Sequence, residues 1–356
     1  MSPPDSPGSH SRSAVVLAIM IAGLIALVVV SLGFGAYPLG LGSVARIIGA
    51  RVTGADLTSD LQRESVILGA IRAPRVLTGV LIGATLGAAG AGLQGLFRTP
   101  LVEPGLVGVS SGATTAAVAL APIGVSLAAS IGEVGMHLLR LAATTAGAVA
   151  VAVLLLAVST RRGQPSVLTM LLVGIAINAF AAALISVVVF ANPNASQIEA
   201  TFWLLGSLTG SSWIDVGVLG TVSVVGVSAL WWWGPQLDAA VLGPTAARSM
   251  GVDVVRLRRT VLAAVAVTTG AAAAVGGIIA FIGLVAPMFL RRVVGARHRP
   301  LIFGSALIGA SLLTVMDAAA RTIFAPTELP VGVIVAVVGA PLFLWSLLDE
   351  QRHGRL

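Results

Sequence analysis

Apolar runs of about 20 residues, nearly free of charge, recur from one end of this chain to the other. Roughly 20 apolar residues is the helical length that crosses a hydrocarbon layer, whereas a soluble protein of this size needs a polar face on each outer helix. Ten such runs, near 14–34, 75–95, 105–123, 137–159, 167–190, 214–233, 260–282, 283–294, 301–321 and 330–348, predict a polytopic, all-α membrane protein. The eighth is short enough to be a half-helix. Only 10% of the 356 residues are charged, against roughly 25% in soluble domains.

The polar, Pro/Ser-rich residues 1–13 read as a disordered cytoplasmic tail, and 14–356 as one transmembrane domain with a polar cytoplasmic segment at about 234–259. The run Ala14 to Phe34 is long enough to span and lacks the short core and small-residue cleavage site of a signal peptide, so it reads as a retained helix. All 21 basic residues are arginine, scattered among short loops, which argues against a nucleic-acid interface. Cysteine is absent, which excludes disulfides, thiolate metal sites and cysteine nucleophiles. The absence of lysine removes the P-loop, so the chain is not itself an ATPase.

With the N-terminus inside, most arginines fall on the cytoplasmic side, among them Arg98, Arg161, Arg162, Arg248, Arg256, Arg258, Arg259, Arg291, Arg292, Arg297 and Arg299. The positive-inside rule then places both termini in the cytoplasm. Arg46, Arg51, Arg63, Arg72 and Arg75 run against that rule in one external segment.

The stretch from Arg72 to Ala113 holds the densest set of signals. Arg72, Ala73, Pro74 and Arg75 lead into the second span, with proline suited to a first helical turn and the guanidinium groups placed either to snorkel or to meet carboxylates. Gly83, Gly87, Gly90, Gly92 and Gly95 recur at spacings of three and four, which brings helices close or leaves room beside a pathway. Gln94 places an amide in hydrocarbon, where it needs a partner or water, and is a pathway candidate together with Gly83, Gly87 and Gly90. Arg98, Thr99, Pro100, Glu103 and Pro104 read as a cytoplasmic turn with a solvated ion pair.

Farther on, Asp317 and Arg321 share one helical face four residues apart and neutralise each other. The segments 72–93 and 258–278, each an arginine lead into an Ala/Gly/Val helix, carry the weak similarity of an inverted repeat. The aromatic run at 201–206 reads as an interfacial belt or as the mouth of a pathway. His10, His298 and His353 fall in cytoplasmic segments and His137 at an outer helix end, so no histidine offers an axial ligand in mid-membrane and no resident metal is expected.

The 72–113 stretch, together with 276–287 (GGIIAFIGLVAP) and 328–341 (ELPVGVIVAVVGAP), resembles the permease subunits of bacterial ABC importers for iron chelates, haem and cobalamin. That resemblance implies a homodimer around one pathway in the inner membrane, two ATP-binding cassette subunits inside and one periplasmic binding protein outside. ATP would be used by the partner, with no permanently bound cofactor. It implies that Arg72, Arg75 and Arg321 dock glutamates of the binding protein. It also implies that Pro244, Arg248, Gly251, Arg256, Arg258 and Arg259 belong to the segment that couples to the ATPase, with a helix over Pro244 to Met250 stopped by Gly251.

Two positions depart from the family pattern: Thr99 stands where asparagine is usual, and Met288 where histidine commonly follows the proline. The runs at 95–113 and 201–210 look most like the haem-importing branch, so haem is the expected cargo, ahead of a ferric siderophore and cobalamin. Two other function classes fit the residues less well. A secondary transporter needs intramembrane ionisable groups, and Asp317 alone lies deep in a span. An intramembrane enzyme needs a nucleophile with its base, or a metal motif, and the spans hold neither.

Overall fold

The computed structural model describes residues 8–352 apart from 36, 38, 55, 57, 162, 163, 166, 192–202 and 326. Helices make up nearly all of it: α1 (Gly8–Gly33), α2 (Leu41–Thr53), α3 (Ser59–Val66), a π-helical turn (Ile67–Arg72) running into α4 (Ala73–Phe97), α5 (Val109–Ser159) and α6 (Val167–Ala191). There follow α7 (Trp213–Trp232), α8 (Gly234–Val241), α9 (Pro244–Ser249), α10 (Val254–Gly276), α11 (Ile282–Val294), α12 (His298–Thr322) and α13 (Val331–Arg352). Among the described residues the sole strand pairing is a two-residue antiparallel ladder, β1 (Thr160–Arg161) with β2 (Gln164–Pro165).

Seven helices among the described residues are long and apolar enough to cross a membrane, and Val331–Trp345 is a shorter apolar one. The expected third and fourth spans form the two arms of α5. Gly132, at φ 73° and ψ 176°, interrupts its helical backbone, and Gly112 on the first arm packs against Gly147 and Val151 on the second, so the element is a hairpin. Helix α11 has 13 residues, about 20 Å at a rise of roughly 1.5 Å per residue, and is the expected half-helix.

Two boundaries differ from the sequence reading. Helix α1 starts at Gly8, so residues 8–13 of the expected tail are helical, and residues 1–7 lie outside the described residues. In the segment before Arg72, the described residues pack against the bundle. Leu39, Val44 and Ile47 in and beside α2 pack with Leu32, Leu68 and Val76 into a small apolar cluster.

Helices α4, α10 and α12 form the interior, with 78%, 67% and 61% of their most apolar windows buried, against 11% for α1 and 17% for α6. The two segments that share the arginine lead, α4 and α10, are thus the two most buried spans. Gly83 lies against the backbone of Gly309, Gly87 against that of Ser305, and Gly90 against that of Gly283. A side chain at any of the three would strike backbone, so these glycines set the spacing of α4 on α12 and α11.

Candidate functional site

One end of the bundle gathers the three arginines expected to dock a binding protein. Arg75 Nε lies 2.9 Å from Asp317 Oδ1 and its terminal nitrogen 2.6 Å from Glu328 Oε2. Arg321 Nε lies 3.0 Å from Asp317 Oδ2, which realises the expected pair and adds Arg75 to it. Arg321 also donates to the Phe34 carbonyl at 2.9 Å and the Ser31 hydroxyl at 2.8 Å. Arg72 donates to the carbonyls of Leu32 at 2.9 Å and Gly33 at 3.1 Å, and to that of Tyr37.

The last turn of a helix leaves carbonyls without intrahelical partners. Arg72 and Arg321 supply the donors for α1, and both are nearly buried, at 5% and 3% exposure. Glu328, in the loop before α13, is the exposed member of the cluster. Burial works against its ionisation, but the hydrogen bond and charge of Arg75, helped by the Thr209 hydroxyl and Arg321, hold its carboxyl below the usual range.

Between α10 and α11 the chain breaks. Gly277 has φ 67° and Phe281 φ 65°, a region that non-glycine residues enter only when their surroundings hold them there. The break is held on both sides. The N–H of Ile278 donates to the Trp203 carbonyl and that of Ser207 to the Gly276 carbonyl, each at 3.0 Å. On the opposite side the N–H of Phe281 donates to Glu103 Oε1 at 3.0 Å.

Glu103 is therefore no solvated turn residue. It is 2% exposed, and its carboxylate sits at the start of α11, where the helix dipole favours negative charge. No local pattern signals this contact, because its partner lies 178 positions away. Gln94 finds its partners nearby: its amide nitrogen approaches the Gly283 carbonyl at 3.4 Å and its oxygen accepts from Arg291 at 3.1 Å, so it ties α4 to α11. Met288 packs with Leu284 and Val285 in an apolar cluster on α11.

At the opposite end, α8 and α9 form two short helices joined at Gly243; α9 ends at Ser249, one residue short of the expected Met250, and Gly251 follows at φ 82°. Pro244 opens α9. Arg248, Arg256 and Arg259 are exposed, while Arg258 is half-buried. Asp253 caps α10 by accepting from the N–H groups of Val255 and Arg256, each at 3.0 Å.

The segment is fixed to the bundle by Asp238, which accepts from the backbone N–H of His298 at 2.9 Å and lies 2.6 Å from its ring Nδ1. Burial disfavours the Asp238 carboxylate, yet the bonds from His298 outweigh this and keep its carboxyl below the usual range. The His298 ring in turn lies against Gly95 of α4. A displacement of α8 thus reaches both α12 and α4.

A cavity of about 250 Å³ opens among α5, α7 and α10 at the end that carries Thr209 and Glu328, lined by residues that include His137, Arg140, Trp203 and Asp215. His137 Nδ1 and Asp215 Oδ1 are 2.9 Å apart. Arg140 was not singled out from sequence, because an arginine near a helix end is the commonest anchor at a membrane surface. Of the aromatic run at 201–206, residues 201 and 202 lie outside the described residues. No group of three or more metal-ligating side chains occurs among the described residues.

The FecCD transport family profile matches residues 23–349. The chain is 40% identical to the cobalamin import system permease protein BtuC of Halobacterium salinarum over 82% of its own length and 75% of the relative's. It is 36% identical to the hemin transport system permease protein HmuU of Yersinia pestis over 80% and 84% of the two chains. A solved structure described as an inward-facing conformation of a metal-chelate type ABC transporter aligns with a TM-score of 0.76 at 25% identity, covering 94% of this chain and 99% of that one. Profile, relatives and fold agree over nearly the whole sequence, and the chain belongs to the FecCD transport family.

Proposed function

We propose that this chain is the membrane permease of an ATP-driven importer that carries an intact metal chelate inward across the inner membrane, with both termini in the cytoplasm. The observation that carries the reading is the pair of short helices α8 and α9, exposed at one end and joined through Asp238 and His298 to α12 and α4. Two ATP-hydrolysing subunits grip this segment through Pro244, Arg248, Gly251, Arg256, Arg258 and Arg259. The chain, lacking any lysine for a P-loop, does not hydrolyse ATP itself and holds no permanent cofactor. Two copies frame one pathway, to which Gln94 contributes beside the break at Gly277 to Phe281.

One binding protein delivers the cargo outside and docks at Arg72, Arg75 and Arg321. All three are already engaged within the chain, so an arriving glutamate competes with Glu328, whose side chain is 34% exposed. The cargo proposed is haem, on the runs at 95–113 and 201–210. Cobalamin is the second reading, favoured by the 40% identity to a cobalamin permease.

The natural chain has no cysteine, so a single Met250→Cys variant carries a unique thiol beside α9. In membranes containing the ATPase subunit, a thiol-to-amine cross-linker is expected to join the two polypeptides at this position, and to fail from Gly23→Cys in the lipid-facing part of α1. Equal cross-linking from both positions, or none from Met250→Cys, would overturn the coupling assignment.

A further inference from the structure

The cavity holds one guanidinium, that of Arg140, whose single contact shown among the described residues is the face of an aromatic ring. Asp215 is fully committed, with Oδ1 toward His137 at 2.9 Å and Oδ2 accepting from the N–H and hydroxyl of Ser212, each at 2.8 Å. The Thr209 hydroxyl donates to Glu328 at 3.1 Å. Arg140, one helical turn beyond His137 on the second arm of α5, lies over the Trp203 ring with its guanidinium carbon 5.4 Å from the ring centre. No carboxylate or carbonyl among the described residues is shown taking its N–H groups. A half-buried arginine, positioned by an aromatic ring and facing a cavity in which Asp215 and Thr209 are already engaged, presents the planar fork that matches a carboxylate.

Size narrows the occupant. The cavity measures about 250 Å³, below the roughly 300–1,000 Å³ of pockets that enclose drug-sized ligands. It therefore takes a carboxylate on a short stem rather than a whole chelate. Its wall also reaches the helix break: Trp203 accepts from Ile278, and the backbone of Trp203 lies directly against Gly277. We propose that the cavity under Arg140 is a carboxylate-binding site on the outer face. The carboxylate belongs either to a small molecule or to an acidic side chain of a protein docked outside. The site requires neither ATP nor a particular cargo, and so stands or falls separately from the transport reading.

The test is a calorimetric titration of the full-length chain in lipid nanodiscs with citrate at constant ionic strength. Saturable binding is expected, weakened roughly tenfold or more by Arg140→Gln, the order set by losing one charge-assisted hydrogen-bonded pair. Arg299→Gln is the control, since Arg299 stacks on Trp231 in the same manner, 4.4 Å from its ring centre, at the cytoplasmic end. That variant should bind citrate as the natural chain does. Should Arg140→Gln fail to fold, Arg140→Lys keeps the charge and stem without the planar fork and must also weaken citrate. Absence of saturable binding, undiminished binding by the Arg140 variants, or an equal loss in Arg299→Gln overturns the proposal. Adding the extracellular binding protein then separates the sources: displacement of citrate assigns the site to an acidic side chain of that protein, and simultaneous binding assigns it to a small carboxylate.

Discussion

Asp317 stands between Arg75 at 2.9 Å and Arg321 at 3.0 Å, with its side chain 2% exposed. Removing one partner of a buried ion pair leaves the others uncompensated, at a cost of about 3–5 kcal/mol. Asp317→Ala is therefore expected to lower the melting temperature of the purified chain sharply. Glu328→Gln, at the open edge of the same cluster, should cost no more than about 1 kcal/mol. Equal effects of the two substitutions would show that the cluster is not organised around Asp317. Glu328 also sets a pH dependence. A carboxyl whose folded pKa lies below its unfolded value contributes stability that is present above the unfolded value and lost as pH falls through the folded one. Acidification should therefore loosen the outer loop, read as faster hydrogen exchange of residues near Glu328 at acid pH, and Glu328→Gln should abolish that pH dependence.

At the level of elements, two contacts decide how the interior is held. Gly87 lies on the backbone of Ser305, so Gly87→Leu must push α4 from α12. The expected loss is of the order of 1–3 kcal/mol or more for overpacking, while Gly23→Leu, with open space around it, should change little. Thermal unfolding of the two variants in the same detergent checks this, and equal stability would contradict the packing role. Glu103 tests the break. Glu103→Gln keeps an oxygen for the Phe281 N–H and should preserve the start of α11. Glu103→Ala leaves that N–H without its acceptor and should expose the segment from Gly277 to Phe281, read as faster exchange there; identical exchange in both variants would remove Glu103 from that role.

These contacts also mark how far the sequence could be read. The spans, the half-helix and the Asp317–Arg321 pair follow from local spacing, whether a 20-residue apolar run or a four-residue offset on one helical face. The polar segment that holds α8 and α9 is legible because polar residues and Gly251 interrupt the apolar pattern. The partner of Glu103, the meeting of Arg75 with Glu328 and the stacking of Arg140 on Trp203 arise from elements far apart in sequence, and no local pattern encodes them. The glycines of α4 were ambiguous for a related reason: a small-residue face serves close packing and an open pathway equally well until its neighbour is known.

Across the whole molecule, the arginine cluster at one end, the break between α10 and α11, and the short helices α8 and α9 at the other end are all held to the buried helices α4 and α12, either directly or through α10 and α11. A load applied at α8 and α9 therefore has a packed route toward the opposite end, which is what the proposed coupling to an ATPase requires. Uptake into vesicles containing this chain, its ATPase subunit and its binding protein, with haem and cobalamin offered in parallel, separates an ATP-driven importer from a gradient-driven carrier. Uptake is expected to require ATP on the side of α8 and α9, to require the binding protein, and to persist when a protonophore collapses the ion gradient. Uptake that continues without ATP and stops with the protonophore would contradict ATP-driven import.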